Sequence, residues 1–111
     1  MGKSNQPLVS VIMSTYNNKK KLEIAIKSIL NQTYKNIELL VIDDGSSDGT
    51  KEILKNFEEK GVLTFFNEQN IGLTKSLNKL IPLTNGEYIA RQDDDDISLP
   101  NRIEVQIKKL T

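Results

Sequence analysis

Residues 8 to 14 (LVSVIMS) form a compact apolar run rich in β-branched side chains, bounded by Pro7 and by the polar Tyr16-Asn17-Asn18, which is the pattern of a buried strand. The period then changes. Between Lys19 and Gln32, Leu22, Ala25, Ile26, Ile29 and Leu30 recur at helical spacing while Lys and Glu fill the other face, so an amphipathic helix capped by Asn17 or Asn18 is expected. Residues 37 to 42 (IELLVI) predict a second strand running into the turn-rich Asp43-Asp44-Gly45-Ser46-Ser47-Asp48-Gly49. Ile53, Leu54 and Phe57 mark a second helix that ends at Gly61. Residues 62 to 66 (VLTFF) give a third strand, and Leu73, Leu77, Leu80 and Ile81 one face of a third helix from about Gly72, stopped by Pro82 and Asn85-Gly86. Residues 87 to 91 (EYIAR) predict a fourth strand, followed by Gln92 and four aspartates. A last helix, opened by Pro100 or Asn101, carries Ile103, Ile107 and Leu110.

The predicted order is β-α-β-α-β-α-β-α. Strands joined through helices need crossover connections, so the sheet is expected to be parallel, with helices on both faces: a Rossmann-like three-layer α/β/α architecture. No internal repeat or linker interrupts it. With 111 residues there is room for one domain. Residues 7 to 111 are read as part of a single domain and residues 1 to 6 as a flexible N-terminal segment. The chain stops directly after a helix without anything resembling a terminal cap, so a fragment is expected, with an uncovered sheet face or edge prone to self-association.

Composition removes several chemistries. The chain has no Cys and no His, which excludes disulfides, thiolate or imidazole nucleophile systems and zinc sites built on those ligands. Oxygen ligands, Lys, Arg and hydroxyls remain. Lys plus Arg equals Asp plus Glu at 15 each, so a generally basic surface for nucleic acid has no support. No apolar run approaches the ~20 residues of a membrane span, and a reducing, cytoplasmic setting is expected.

In an open parallel sheet, ligands bind beyond the carboxyl ends of the strands. Three polar clusters fall there: Ser14-Thr15-Tyr16-Asn17 after strand one, Asp43 to Ser46 after strand two, and Asp93-Asp94-Asp95-Asp96 after strand four. Unit charges ~4 Å apart repel by roughly 4 kcal/mol at an effective dielectric near 20, so the four aspartates call for something that offsets them. Either a divalent cation does so, Mg²⁺ or Mn²⁺ given the all-oxygen donor set, or the run is a solvated loop capping the next helix. Asp43 and Asp44 are read either as turn and capping residues or, for Asp44, as an acceptor for a base or sugar donor group. Tyr16 is a rim aromatic or a stacking platform, and Lys75 a solvated residue or a point charge for a phosphate. There is no Gly-x-Gly-x-x-Gly and no Gly-x-x-x-x-Gly-Lys-Ser/Thr, which argues against dinucleotide and nucleoside triphosphatase sites.

The segments VSVIMSTYN (9 to 17), SILNQTY (28 to 34), ELLVIDDGS (38 to 46) with Asp48-Gly49-Thr50, Asn70-Ile71-Gly72 leading to Asn78, GEYI (86 to 89), and Asp93 to Asp96 followed by Pro100 and Arg102 occur in this order over nearly all of residues 7 to 110. Together they resemble the amino-terminal, nucleotide-sugar-binding half of family 2 glycosyltransferases of the GT-A fold. The resemblance implies a metal-dependent transfer, with inversion, from a nucleotide-sugar donor such as a UDP-sugar to a carbohydrate or lipid-linked acceptor. It implies that Ser14, Thr15, Tyr16 and Asn17 surround the base and that Asp43 and Asp44 lie beside it, Asp44 bonding its edge. It also implies that Lys75 contacts the nucleotide, that Asp93 faces the ribose, and that Asp95, with Asp93, holds Mn²⁺ or Mg²⁺. Asp94 departs from the family pattern, which has a small residue there; the extra carboxylate either alters metal preference or points outward. Relatives carry the catalytic base in segments beyond this length and work at the cytoplasmic membrane face, so nucleotide binding without transfer is expected of these residues alone. A sugar-phosphate nucleotidyltransferase-like enzyme and a non-catalytic nucleotide-binding module are the alternatives.

Overall fold

The structure, a computed structural model, describes residues 6–111. The flexible segment expected at residues 1 to 6 therefore lies outside the described residues except for Gln6, whose carbonyl accepts a hydrogen bond from Asn36 Nδ2 at 2.7 Å. The elements follow the expected order: β1 (Val9–Thr15), α1 (Lys19–Leu30), β2 (Ile37–Asp43), α2 (Thr50–Glu58), β3 (Leu63–Phe66), α3 (Leu73–Leu80), β4 (Tyr88–Arg91) and α4 (Arg102–Leu110). All pairings are parallel and the sheet order is β3-β2-β1-β4. The chain thus walks from β1 to β3 in one direction and then returns across the sheet to place β4 on the other side of β1.

That reversal puts helices on both faces, because crossovers of one hand that travel in opposite directions pass over opposite faces. On one face Val9, Val11, Met13, Leu39 and Val41 pack against Leu22, Ala25, Ile26 and Ile29 of α1, Leu54 and Phe57 of α2, and Ile103 and Ile107 of α4. On the other, Ile12, Leu40 and Ile42 pack against Leu77 and Leu80 of α3. The two interior strands are buried on both faces, which is why they read as continuous apolar runs rather than alternating ones.

Two local expectations, the Asn18 and Asn17 caps, are corrected. Asn18 occupies the position before α1, but its side chain does not cap the helix; its backbone carbonyl accepts from Lys21 and Leu22 N–H, and its Nδ2 donates to the Asp94 carbonyl at 3.3 Å. Asn17, in left-handed backbone with φ 46°, likewise spends its side chain on a neighbouring loop. α3 ends at Leu80, ahead of Pro82 as expected, and Pro82 itself sits in a 3₁₀ turn over Ile81–Leu83.

The amino-terminal end of the sheet is closed by a polar clasp. Ser10 Oγ donates to Glu38 Oε2 at 2.6 Å and accepts from Gly86 N–H at 2.8 Å, and Asn85 N–H donates to the same Glu38 oxygen at 2.7 Å. Gly86 lies so close to β1 that a Cβ there would stand 2.6 Å from both the Ser10 nitrogen and Oγ. Gly86→Ala is accordingly expected to cost about 1–3 kcal/mol, the usual penalty for overpacking, read as a lower urea midpoint. An unchanged midpoint would mean that β4 can shift away from β1 freely.

Candidate functional site

Because the strands are parallel, the loops after β1, β2 and β4 all open on one rim. Ser14, Tyr16, Asp44, Asn70, Gly72, Leu73 and Asp94 line a cavity of about 300 Å³ there, the lower end of the size range of small-molecule sites. The geometry thus joins the three sequence clusters in one place, with Tyr16 48% exposed at its edge.

Asp44 is the centre of this rim. Its side chain is buried, and each carboxylate oxygen accepts two hydrogen bonds: Oδ1 from Ile71 N–H at 2.8 Å and Asn67 Nδ2 at 3.0 Å, Oδ2 from Gly72 N–H at 2.9 Å and Asn70 Nδ2 at 3.1 Å. One carboxylate therefore gathers the whole segment from Asn67 to Gly72 against the end of β2. Burial pushes its pKa up, but the bonds from Ile71 N–H, Asn67 and Gly72 N–H outweigh that and hold it below the usual carboxylate range. Gly45 permits the approach: it has φ 80°, and a Cβ on it would stand 2.8 Å from the Asn70 nitrogen and the Gln69 carbonyl carbon.

Asn67 extends the network. Its Nδ2 also donates to Ser76 Oγ at 3.0 Å, and its Oδ1 accepts from Lys79 Nζ at 2.7 Å. The basic residue of α3 that reaches this network is thus Lys79, while Lys75 stands exposed on the first turn and does not line the cavity. Asn17 ties the β1 and β2 loops together, its N–H donating to Ser46 Oγ and its Oδ1 accepting from Ser47 N–H, both at 2.8 Å.

Thr15 and Asp43 do not join the cavity. They are register partners on neighbouring strands, both buried, and they share the sheet face of Met13 and Val41, opposite to that of Ser14 and Ile42. Asp43 Oδ2 accepts from Ser46 N–H at 3.1 Å, whereas Asp43 Oδ1 and Thr15 Oγ1 have no partner among the described residues.

The four aspartates divide. Asp94 faces the cavity beside Tyr16 and Asp44. Asp93, Asp95 and Asp96 bring one carboxylate oxygen each to within 4.8 Å of one another, all exposed. An all-oxygen donor set of this kind fits a hard divalent cation, and such a charge would offset the repulsion of the three carboxylates. Arg91 offsets part of it, its Nε and Nη2 lying 3.2 Å from Asp93 Oδ1. Asp93 and Asp96 also line a larger hollow of about 720 Å³ with Arg91, Ile97, Leu99 and Arg102, so the acid loop stands between two cavities.

A parallel α/β sheet that gathers a lined cavity and a carboxylate cluster at its carboxyl rim is the layout of a nucleotide-binding α/β domain. The sequence profile of glycosyl transferase family 2 matches residues 10–111, and the chain belongs to that family. It is 45% identical over 104 residues to the putative glycosyltransferase EpsE of Bacillus subtilis, covering 91% of this chain and 37% of that protein. It is 39% identical over 103 residues to the Escherichia coli UDP-Glc:alpha-D-GlcNAc-diphosphoundecaprenol beta-1,3-glucosyltransferase WfgD, covering 93% of this chain and 41% of WfgD. The chain therefore spans well under half the length of these relatives. Among solved structures, residues 1-349 of S. aureus TarS in complex with UDP superpose with a TM-score of 0.84 at 27% identity, over 91% of this chain and 31% of that TarS chain. The mannosyltransferase PcManGT from Pyrobaculum calidifontis, in complex with GDP-Man and Mn²⁺, does so with 0.80 at 27%, over 92% and 31%. The fold is the GT-A type. No helix among the described residues is long and apolar enough to cross a membrane.

Asp44→Asn should lower stability at neutral pH by about 3 kcal/mol, the scale of losing charge-assisted hydrogen bonds at a buried acceptor. Because the folded pKa lies below the ordinary 3.8, the stability that ionised Asp44 contributes is complete above that value and is lost as pH falls through the folded pKa. Urea titrations should therefore show the wild-type advantage over Asp44→Asn shrinking below about pH 4. A difference that stays constant down to pH 2 would contradict the assignment.

Proposed function

We propose that this chain is the donor-binding part of a glycosyltransferase that moves a sugar from a nucleoside diphosphate carrier, a UDP-sugar in the first instance, to an acceptor hydroxyl with inversion. The observation that carries this reading is the meeting of an aromatic, hydrogen-bonding cavity with a three-carboxylate cluster on one rim. Complexes of structural neighbours with UDP, with UDP-GlcNAc and with GDP-Man plus Mn²⁺ support it.

In this proposal the base lies against Tyr16 and Ser14, with Asn70, Gly72 and Leu73 forming the opposite wall. Asp44 acts chiefly by presenting that wall: its oxygens already accept four donors, so a direct bond to the base edge requires displacing one of them. Asp94 is the carboxylate in the same cavity that is free to accept a hydrogen bond from the nucleoside. Asp93 faces the ribose side, and Asp95 with Asp93 holds Mn²⁺ or Mg²⁺. When bound, that ion supplies positive charge to the departing diphosphate. The base that removes the acceptor's proton is assigned to no residue of this chain. The acceptor class is a carbohydrate or lipid-linked hydroxyl, and the site of action the cytoplasm or the cytoplasmic membrane face.

Calorimetric titration with UDP, with and without Mn²⁺, tests the proposal. Binding should strengthen at least about tenfold with the metal, which corresponds to ~1.4 kcal/mol. Asp95→Ala should lose that increment and keep metal-free binding. UDP binding that is absent in both conditions would favour a non-catalytic module instead.

A further inference from the structure

The acid loop between β4 and α4 is gripped at both ends by one connected set of side chains. At its upstream end Arg102 Nη2 donates to the Arg91 carbonyl at 3.0 Å. At its downstream end the buried Gln92 carboxamide donates through Nε2 to the Asp96 carbonyl at 2.7 Å. The two grips are joined. Arg102 Nη1 donates to Gln92 Oε1 at 2.8 Å and to Ser98 Oγ at 3.0 Å, and Ser98 Oγ itself donates to Gln92 Oε1 at 2.5 Å.

This set is fastened to the body of the fold. Gln92 N–H continues the sheet ladder to the Ile12 carbonyl at 3.0 Å. Ser98 N–H donates to Ser28 Oγ at 3.0 Å, and the buried Gln32 side chain donates to the Leu99 carbonyl at 2.7 Å while accepting from Ile103 N–H at 3.0 Å. Inside the loop, by contrast, the backbone makes a single bond across the turn, Asp96 N–H to the Asp93 carbonyl at 3.2 Å. Three carboxylates within 4.8 Å of one another tend to drive such a loop open. What resists, beside the bond from Asn18 Nδ2 to the Asp94 carbonyl, is the grip on the Arg91 and Asp96 carbonyls.

Building on the metal site proposed above, we propose that Arg102 and Gln92 are positioning residues for that site: by fixing both ends of the loop they set the spacing of the Asp93, Asp95 and Asp96 carboxylates. Neither residue is a ligand. Arg102 donates to Gln92 Oε1, Ser98 Oγ and the Arg91 carbonyl, none of them an aspartate carboxylate. A guanidinium is needed because its two terminal nitrogens serve separate acceptors, Nη1 the Gln92 and Ser98 oxygens and Nη2 the Arg91 carbonyl, where Lys has a single nitrogen. Gln is needed at 92 because its Oε1 must accept from Arg102 and Ser98 while its Nε2 donates to Asp96.

Two near-isosteric variants test this in the whole chain, read by Mn²⁺ affinity from calorimetry and from the spin resonance spectrum of the bound ion. Gln92→Glu turns the donor facing the Asp96 carbonyl into an acceptor, and Arg102→Lys keeps the charge but loses the fork. Each is expected to weaken Mn²⁺ binding at least about tenfold, the loss usual when groups that orient metal ligands are altered, and to broaden the spectrum, with metal-free UDP affinity within about twofold of wild type. The double variant should be no weaker than the worse single one, because both break one network. Ile107→Val, a core change that lowers stability without touching the loop, should leave Mn²⁺ affinity unchanged. If Gln92→Glu does not fold, Ser98→Ala, which removes one hydroxyl from the network, is read in the same way. Wild-type Mn²⁺ affinity in the folded variants would overturn the positioning role while leaving the metal site standing. A wild-type chain that takes up no Mn²⁺ would remove the metal site and this role with it.

Discussion

A single buried carboxylate organises the functional rim. Asp44 directly follows β2 in a place where burial alone would disfavour its charge, and the donors that keep it ionised come from a segment more than twenty residues further along the chain. The exchange works both ways: Asp44 is satisfied only when Asn67, Asn70, Ile71 and Gly72 are in place, and it helps to hold them there, Asn67 being held also by Ser76 and Lys79. Since Gly72 also precedes α3, the same contact sets where α3 begins, and through Leu77 and Leu80 how the second face of the sheet is covered. Local charge, loop geometry and packing are thus linked through one group.

The acid loop follows the opposite logic. Its carboxylates stay exposed and mutually repulsive, and order is imposed from outside by Gln92, Ser98 and Arg102, and behind them by Ser28 of α1 and by Gln32 just beyond that helix. Asp44 is neutralised by donors, whereas Asp93, Asp95 and Asp96 keep acceptor capacity for a cation. The rim therefore combines a saturated carboxylate that shapes a wall with unsaturated ones that can take a ligand.

Much of this was legible in the sequence. The strands and helices declared themselves through continuous apolar runs at 8 to 14 and 37 to 42 and through the helical recurrence of Leu22, Ala25, Ile26 and Ile29, because burial on two faces and on one face leave different periods. The convergence of Ser14, Tyr16, Asp44 and the aspartates followed from parallel topology alone. The finer division did not. Thr15 and Asp43 looked equivalent to their neighbours, although the two-residue period of a strand already sends Ser14 and Thr15 to opposite faces and could have separated them. Asn67 and Lys79 carried no signal, and Asn70 only its place in the family-like Asn70-Ile71-Gly72 segment, since the acceptors they serve become neighbours only when β3 and α3 pack. For Gln32 the sign was a polar residue closing an apolar helical stripe; its use, holding the turn into α4, is a contact across more than sixty residues.

A crystal of the chain grown with UDP and Mn²⁺, with anomalous scattering recorded near the manganese edge, measures the central claim most directly. One anomalous peak within coordination distance of the Asp95 and Asp93 carboxylates, with uracil density against Tyr16 in the cavity shared by Asp44 and Asp94, is the expected result. Manganese or nucleotide bound elsewhere on the molecule, with the Asp93 to Asp96 loop empty, would contradict it.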